Sequence, residues 1–200
     1  MLNYKIDIEN CEKRYQGFFT LEKYTLQHSL FEGGMSDSIE REMFHHGNAV
    51  AVLLYDPKED SVVLVEQFRI GVIEYGKGAW VYELVAGYQE EGESIEDVVR
   101  REVYEESGLT VMHIEPVMNY HVNPANTSDR IQLVYAHIDS GNAGGVHGLR
   151  DEGENIKVHV FKYDEINTLF TDGRLPSATP IIAMLWLQLN RDRLQSVHIR

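Results

Sequence analysis

The stretch Gly87-Tyr-Gln-Glu-Glu-Gly-Glu93-Ser-Ile-Glu-Asp-Val-Val-Arg-Arg101-Glu102-Val-Tyr-Glu105-Glu106-Ser-Gly108-Leu109 decides how this chain is read. Ser94 with Asp97 three residues later is a capping box, and Ile95, Val98, Val99 and Val103 follow at helical spacing. Gly108 stands where a left-handed glycine would close that helix. On the helix Glu102, Glu105 and Glu106 fall at i, i+3 and i+4, so three carboxylates leave from one face. Acids crowded in this way repel one another unless a cation sits between them. Hard divalent cations take oxygen ligands of this kind and hold them beside phosphate oxygens. Arg101 can pair with a neighbouring acid such as Glu93 and fix its direction.

Upstream of the helix the pattern is that of strands. Tyr4–Glu9 alternates, Phe18–His28 is aromatic and β-branched, and Ser38–His46 is extended after the Gly33-Gly34 turn. Ala49–Tyr55 is apolar on both faces, as a central strand should be, and the turn Asp56-Pro57-Lys58-Glu59-Asp60 returns it to Val62–Val65 as a hairpin. Trp80–Val85 reads as one further strand. Downstream, strands are expected at Val117–Val122, Ile131–Ile138 and Ile156–Phe161. A short helix near Asp164–Thr171 and a longer one near Thr179–Arg193, with Pro180 in its first turn, complete the chain. Strands around a central helix, with more helix at the end, predict an α+β fold of α/β/α layers. Residues 1–47 form a strand-rich appendage and residues 48–200 the main domain.

The 200 residues suffice for one core, with 43% apolar and 25% charged residues. Eighteen basic against 32 acidic side chains give a net charge of −14, which argues against a duplex nucleic-acid binder. The same balance admits a phosphate substrate, because a divalent metal can supply positive charge. The single Cys11 excludes an intrachain disulfide and fits a cytoplasmic location. No apolar run approaches a membrane span, and MLNYKIDIEN lacks the basic-then-apolar form of a secretory signal.

Three glutamates on an acidic protein would ordinarily be a solvated helix face. Here the spacing is fixed throughout: glycine, five residues, glutamate, seven residues, Arg-Glu, an aliphatic, any residue, Glu-Glu, any residue, glycine and an aliphatic. Seven fixed positions coincide by chance on the order of 10⁻⁵ per chain at average residue usage, so coincidence is a poor account. The stretch resembles the signature of the Nudix hydrolases at every position from Gly87 to Leu109. That resemblance implies the Nudix fold, an α/β/α sandwich with a mixed central sheet. It also implies attack by water at a phosphorus of a nucleoside diphosphate linked to another group.

The likeness extends over almost the whole chain to the bacterial ADP-ribose pyrophosphatases. Gly17-Phe18-Phe19, Arg41-Glu42, Glu66-Gln67-Phe68-Arg69 and Glu83-Leu84-Val85-Ala86-Gly87 resemble that family's segments in order. Pro124 falls fifteen residues after Leu109, the subgroup's spacing, and His147–Glu154 resembles its acidic catalytic loop. Ala125-Asn126 replaces the family's glycine pair, His46 stands where arginine is more usual, and Asp129 where glutamate is frequent.

The resemblance implies Mg²⁺, with Mn²⁺ able to substitute, held by the Ala86 carbonyl, Glu102 and Glu106, with Glu105 and Glu154 as further donors. It makes Glu152 the general base in the Gly-containing stretch Gly141–Gly153, which suits a loop that closes over substrate. Read alone, Asp151–Glu154 would be a polar turn. Arg41 and Arg69 are expected to grip phosphate and terminal ribose, because guanidinium meets phosphate bidentately. Phe18 or Phe19 is expected to stack on adenine, with Glu42, Tyr88 and Asp129 also contacting substrate; both phenylalanines equally suit a core strand. Gly87, Glu93, Arg101, Gly108 and Pro124 hold the motif's shape. His45-His46 lacks a spaced metal-binding partner, and Trp186 suits a core position.

The substrate expected is ADP-ribose, cleaved to AMP and ribose 5-phosphate. Another nucleoside diphosphate sugar such as GDP-mannose is the alternative within the family. A non-catalytic ADP-ribose sensor is a third reading, which the intact carboxylate set opposes. The family's relatives are homodimers with exchanged N-terminal strands, which gives residues 1–47 a part in an interface and in the substrate pocket. Their Phe18, Phe19, Leu21, Tyr24, Leu26, Leu30 and Phe31 are too apolar for a free arm in water.

Overall fold

Alternation along Asn48–Asp56 (β4) sends its side chains to opposite faces of a sheet, and both faces are covered. In the computed structural model, which describes residues 4–198, Val50, Val52 and Leu54 pack with Val63 and Val65 of β5 (Ser61–Phe68). Val98, Val99 and Val103 of helix α1 (Ile95–Ser107) close this layer. On the other face, Tyr55 lies 6.5 Å from Tyr135 of β9 (Arg130–His137), which in turn lies 6.1 Å from Trp186 of α3 (Ala178–His198). Helix, sheet and helix therefore form the three expected layers.

The remaining elements are β1 (Ile6–Gln16), β2 (Thr20–His28), β3 (Ile39–His45), β6 (Trp80–Glu83), β7 (Val85–Tyr88), β8 (His113–His121), β10 (Val146–His147), β11 (Ile156–Lys162) and α2 (Ile166–Thr171). The large sheet has the order β10-β11-β5-β4-β9-β8, with β6 paired to β5 and β7 to β4. Most pairs are antiparallel, but Ile138 N–H donates to Tyr55 O at 3.3 Å while Arg130 Nε reaches Asn48 at 3.3 Å. Both ends of β4 and β9 therefore match in the same direction, and the sheet is mixed.

The single strand expected over Trp80–Val85 is two. β4 and β5 pair only from Leu54 to Asp56, and beyond that point they diverge. β6 extends β5, with Val65 opposite Glu83, and β7 extends β4, with Val52 opposite Val85. Leu84 is the crossing point, so one apolar run serves two pairings. The result carries Ala86 and Gly87 to the carboxyl end of α1.

The chain divides into two compact units, residues 1–48 with 120–130 and residues 49–119 with 131–200. Nothing in the sequence pattern signals that 120–130 joins the first. In that unit β1, β2 and β3 form an antiparallel sheet, and the inserted segment is tied to it by Phe44 N–H to Asn126 O (2.9 Å) and Ser128 N–H to Phe44 O (3.1 Å). Every residue of β1 is exposed. Among the described residues no helix is long and apolar enough to cross a membrane.

Candidate active site

Helix α1 starts at Ser94, whose hydroxyl accepts from Asp97 N–H at 3.2 Å while Asp97 accepts from Ser94 N–H at 3.1 Å. It ends at Gly108, with φ of 69°. Val99, Val103 and Glu106 recur at intervals of four and three, so Glu106 shares the stripe that faces the sheet. It is only 3% exposed. Burial pushes its carboxyl up to about 9, reinforced by the charges of Glu102 and Glu154 and opposed by a hydrogen bond from Ala86 N–H at 3.3 Å. Among the described residues it forms no ion pair. A buried carboxylate without an ion pair costs several kcal/mol in its charged form, so this group stays protonated near neutral pH unless a cation comes beside it.

Glu102 occupies a space that only Gly87 leaves open. A Cβ at residue 87 would overlap the Glu102 carboxylate and lie 2.7 Å from its Cγ. The first motif glycine thus leaves room for a side chain fifteen residues further on, which a Cβ there would displace. Burial also raises the Glu102 carboxyl, an effect opposed by the Arg101 guanidinium, which holds it at 2.7 Å. Arg101 meets Glu93 bidentately at 2.8 and 2.9 Å, reaches Glu105 at 3.4 Å, and donates to Tyr88 O at 3.2 Å. Its hydrogen bonds hold the Glu93 carboxyl below the usual carboxylate range.

The loop between β9 and β11 supplies the facing wall. Glu154 N–H donates to Leu149 O at 3.1 Å, and Leu149 N–H donates to the Glu154 carboxylate at 3.0 Å. Its charge acts on both Glu102 and Glu106. Glu152 ends an exposed turn, Arg150–Glu152. Arg69 is held by Glu83 at 2.7 Å, and its charge also reaches Glu106. The structure therefore brings Glu102, Glu105, Glu106, Glu154, Arg69, Arg101, Glu93, Ala86 and Gly87 into one neighbourhood, with Tyr88 exposed beside them.

The remaining candidates belong to the first unit. Phe18 and Phe19 stand edge to face at 5.0 Å, and the His46 ring lies 4.2 Å from the first and 4.8 Å from the second. His46 N–H donates to Asp129 at 3.1 Å. The two departures at 46 and 129 are thus partners. Arg41 and Glu42 lie exposed on β3, opposite Tyr24 and Lys23, and Pro124 is exposed in the inserted segment. His45 bridges Ser128 at 2.8 Å and Glu22 at 2.9 Å, a structural role.

Sequence reading missed a second charged cluster. Glu66 joins His159 at 2.7 Å and Arg174 at 2.8 Å, and Arg174 lies 4.0 Å above the Tyr82 ring. The partners come from positions up to 108 residues apart, so no local pattern could reveal them.

Among the described residues no three or more His, Cys, Asp or Glu side chains already converge on a metal position. The donor set nonetheless fits a hard divalent cation. Glu106 is buried with no ion-pair partner among the described residues, Glu102 fills the cradle that Gly87 leaves, and Glu154 adds a third carboxylate to the same field.

Comparison with known proteins agrees with this chemistry. The NUDIX domain family model matches residues 45–181. The ADP-ribose pyrophosphatase of Escherichia coli K12 is 41% identical over 191 residues, covering 96% of this chain and 91% of the relative. The GDP-mannose pyrophosphatase of Yersinia pestis is 28% identical over 192 residues, covering 94% of each. A crystal structure described as an ADP compounds hydrolase superposes with a TM-score of 0.73 at 18% identity, covering 96% of this chain and 97% of that one, which is a likeness of fold.

Proposed function

We propose a substrate and a mechanism from one premise: the chain belongs to the NUDIX domain family. The substrate is ADP-ribose, and water cleaves its diphosphate to give AMP and ribose 5-phosphate. The water oxygen bonds to one phosphorus, the bridging P–O bond breaks, and the leaving phosphate keeps the bridging oxygen. The observation that carries this reading is Glu106, a carboxylate buried in an apolar layer with two further acids acting on it and, among the described residues, no ion-pair partner. Such a group has its use when a divalent cation and a diphosphate arrive together.

Glu102, Glu106 and the Ala86 carbonyl would hold Mg²⁺ or Mn²⁺, with Glu105 and Glu154 in reach. A bound divalent ion would neutralise the diphosphate and acidify a water molecule. Glu152, on its exposed turn, is the acceptor for the proton of the attacking water. Arg101, anchored on Glu93, directs Glu102 and Glu105. Arg69, released from Glu83 or shared with it, meets a phosphate or ribose oxygen. Phe18 and Phe19, backed by His46, offer an edge-to-face pair on which adenine would stack, and Arg41, Glu42 and Asp129 are further candidate contacts to substrate.

A homodimer with exchanged N-terminal strands follows from the same reading. β1 is exposed along its length, with Ile6 at 71%, Ile8 at 55% and Tyr15 at 60%. These exposed apolar side chains on an edge strand support burial against a partner. With one cysteine and no acidic-lipid attraction at a charge of −14, the enzyme works in the cytoplasm.

Product analysis tests the proposal. ADP-ribose with Mg²⁺ should yield AMP and ribose 5-phosphate, and chelation should stop the reaction. Faster turnover of GDP-mannose would transfer the assignment to the other nucleoside diphosphate sugars. Sedimentation should give a dimer, and a fully active monomer would defeat the exchanged arrangement.

A further inference from the structure

Two features of the loop between β9 and β11 have no part in the chemistry above. The first is the contact between His147 and the end of α1. A Cβ at Gly108 would lie 2.7 Å from His147 Cε1 and 3.3 Å from its Nδ1, so the imidazole occupies the space a side chain would need. The left-handed backbone at Gly108, with φ of 69°, would by itself accept asparagine. The ring removes that tolerance. The second feature is an interloop hydrogen bond. Gly148 N–H donates to Glu105 O at 3.1 Å, satisfying one of the last-turn carbonyls that a helix leaves without partners.

His147 is itself held in place. Its Nε2 lies 2.8 Å from Gly144 O, and because a carbonyl only accepts, Nε2 carries the proton. Its backbone pairs with Ile156 in the β10–β11 ladder, and Val158 N–H donates to Gly145 O at 3.0 Å. The residues immediately after it, Gly148 and Leu149, carry the bonds to Glu105 and to the Glu154 carboxylate. One imidazole thus sits between the end of the glutamate helix and the Gly144-Gly145 backbone of the loop, while its own main chain pairs with β11.

We propose that His147 is a positioning residue: it docks the acidic loop on the C-terminal end of α1 and so sets where Glu152 and Glu154 stand relative to Glu102 and Glu106. Gly108 is the other half of this dock. The activity readout rests on the ADP-ribose reading; the docking itself does not.

The test uses the full chain with His147→Ala, His147→Gln, Gly108→Asn and the His147→Ala/Gly108→Asn double variant. Two readouts are taken: kcat and KM with ADP-ribose and Mg²⁺, and the rate of tryptic cleavage after Arg150 in protein free of metal and substrate. His147→Ala should lower kcat by about 10²-fold, the scale of a 1 Å misplacement, with KM little changed. It should also speed cleavage after Arg150 about tenfold while cleavage elsewhere stays the same, as local opening requires. His147→Gln, which retains an N–H for Gly144 O, should recover most of both. Gly108→Asn should be damaging beside His147 and nearly without further effect beside alanine. Equal cost of Gly108→Asn in both backgrounds would overturn the proposal, as would an unchanged rate of cleavage after Arg150 or acceleration at every tryptic site. If the tryptic pattern responds as stated while the parent leaves ADP-ribose intact, the docking stands and the substrate assignment falls.

Discussion

The two walls of the candidate site hold glutamates by different means. On α1 the backbone is a capped helix of 13 residues, and Glu106 is fixed by the same packing that buries Val98, Val99 and Val103. On the facing loop, four glycines at positive φ (144, 145, 148 and 153) bend the chain, and Glu154 is held by hydrogen bonds to Leu149 rather than by burial in the apolar layer. Packing cannot let a charge escape, so the helix wall keeps an acid whose carboxyl is driven far above its ordinary value. Hydrogen bonds can break and reform, so the loop wall suits an acid that must meet a water molecule and then release product. The comparison separates the residues that create the electrostatic demand from those that act within it.

The largest expected effect lies on the helix wall. Glu106→Gln should lower kcat by ~10³-fold or more, as removal of a transition-state electrostatic partner does, while the fold persists. Glu102→Gln should follow it. Activity of either variant within a few-fold of the parent would remove α1 from the metal site. Loop substitutions should be milder and of two kinds. Glu152→Gln should cost ~10²-fold in kcat with Mg²⁺ affinity retained, as loss of a proton acceptor does. Glu154→Gln should instead weaken Mg²⁺ binding, since its charge is the one that reaches Glu102 and Glu106. Exchange of these two phenotypes would reverse the roles given to the loop acids.

Gly87→Ala tests whether shape or charge governs the helix wall. It leaves every carboxylate in place but displaces Glu102, and metal affinity should fall about 10–100-fold, the range for residues that orient ligands. An unaffected Kd for Mn²⁺ would mean that Glu102 moves aside freely.

The smallest effect is one of stability. The Glu106 carboxyl has a folded value of about 9 against an ordinary 4.5. Its contribution to stability is therefore fully present below about 4.5 and is lost as pH rises towards 9. Metal-free protein should lose thermal stability over that window, and saturating Mg²⁺ should restore it with release of protons. Glu106→Gln should flatten the metal-free profile and raise Tm at pH 8. A metal-free Tm independent of pH between 5 and 9 in both proteins would show that Glu106 is solvated.

How far the sequence reached is clearest at particular residues. Ser94, Asp97, Gly108 and the acids of α1 act through neighbours three or four positions away, and such contacts are written into a linear pattern. The central strands were legible for the same reason, because a short continuous apolar run such as Ala49–Tyr55 must bury both faces. The split of Trp80–Val85 into two strands was not legible, since both halves are equally apolar and only the divergence of β4 from β5 creates the gap they fill.

By itself the sequence determined the family, the three-layer fold and the helix that bears the carboxylates, because each rests on local spacing. Tertiary structure alone decided that Ala86 N–H meets Glu106, that Gly87 makes room for Glu102, and that Phe18, Phe19, His46 and Asp129 share one cluster. It also decided that His147 closes on Gly108. These contacts join residues too far apart for any periodicity to couple them, and which of them form depends on sterics and desolvation that exist only once the sheet has assembled.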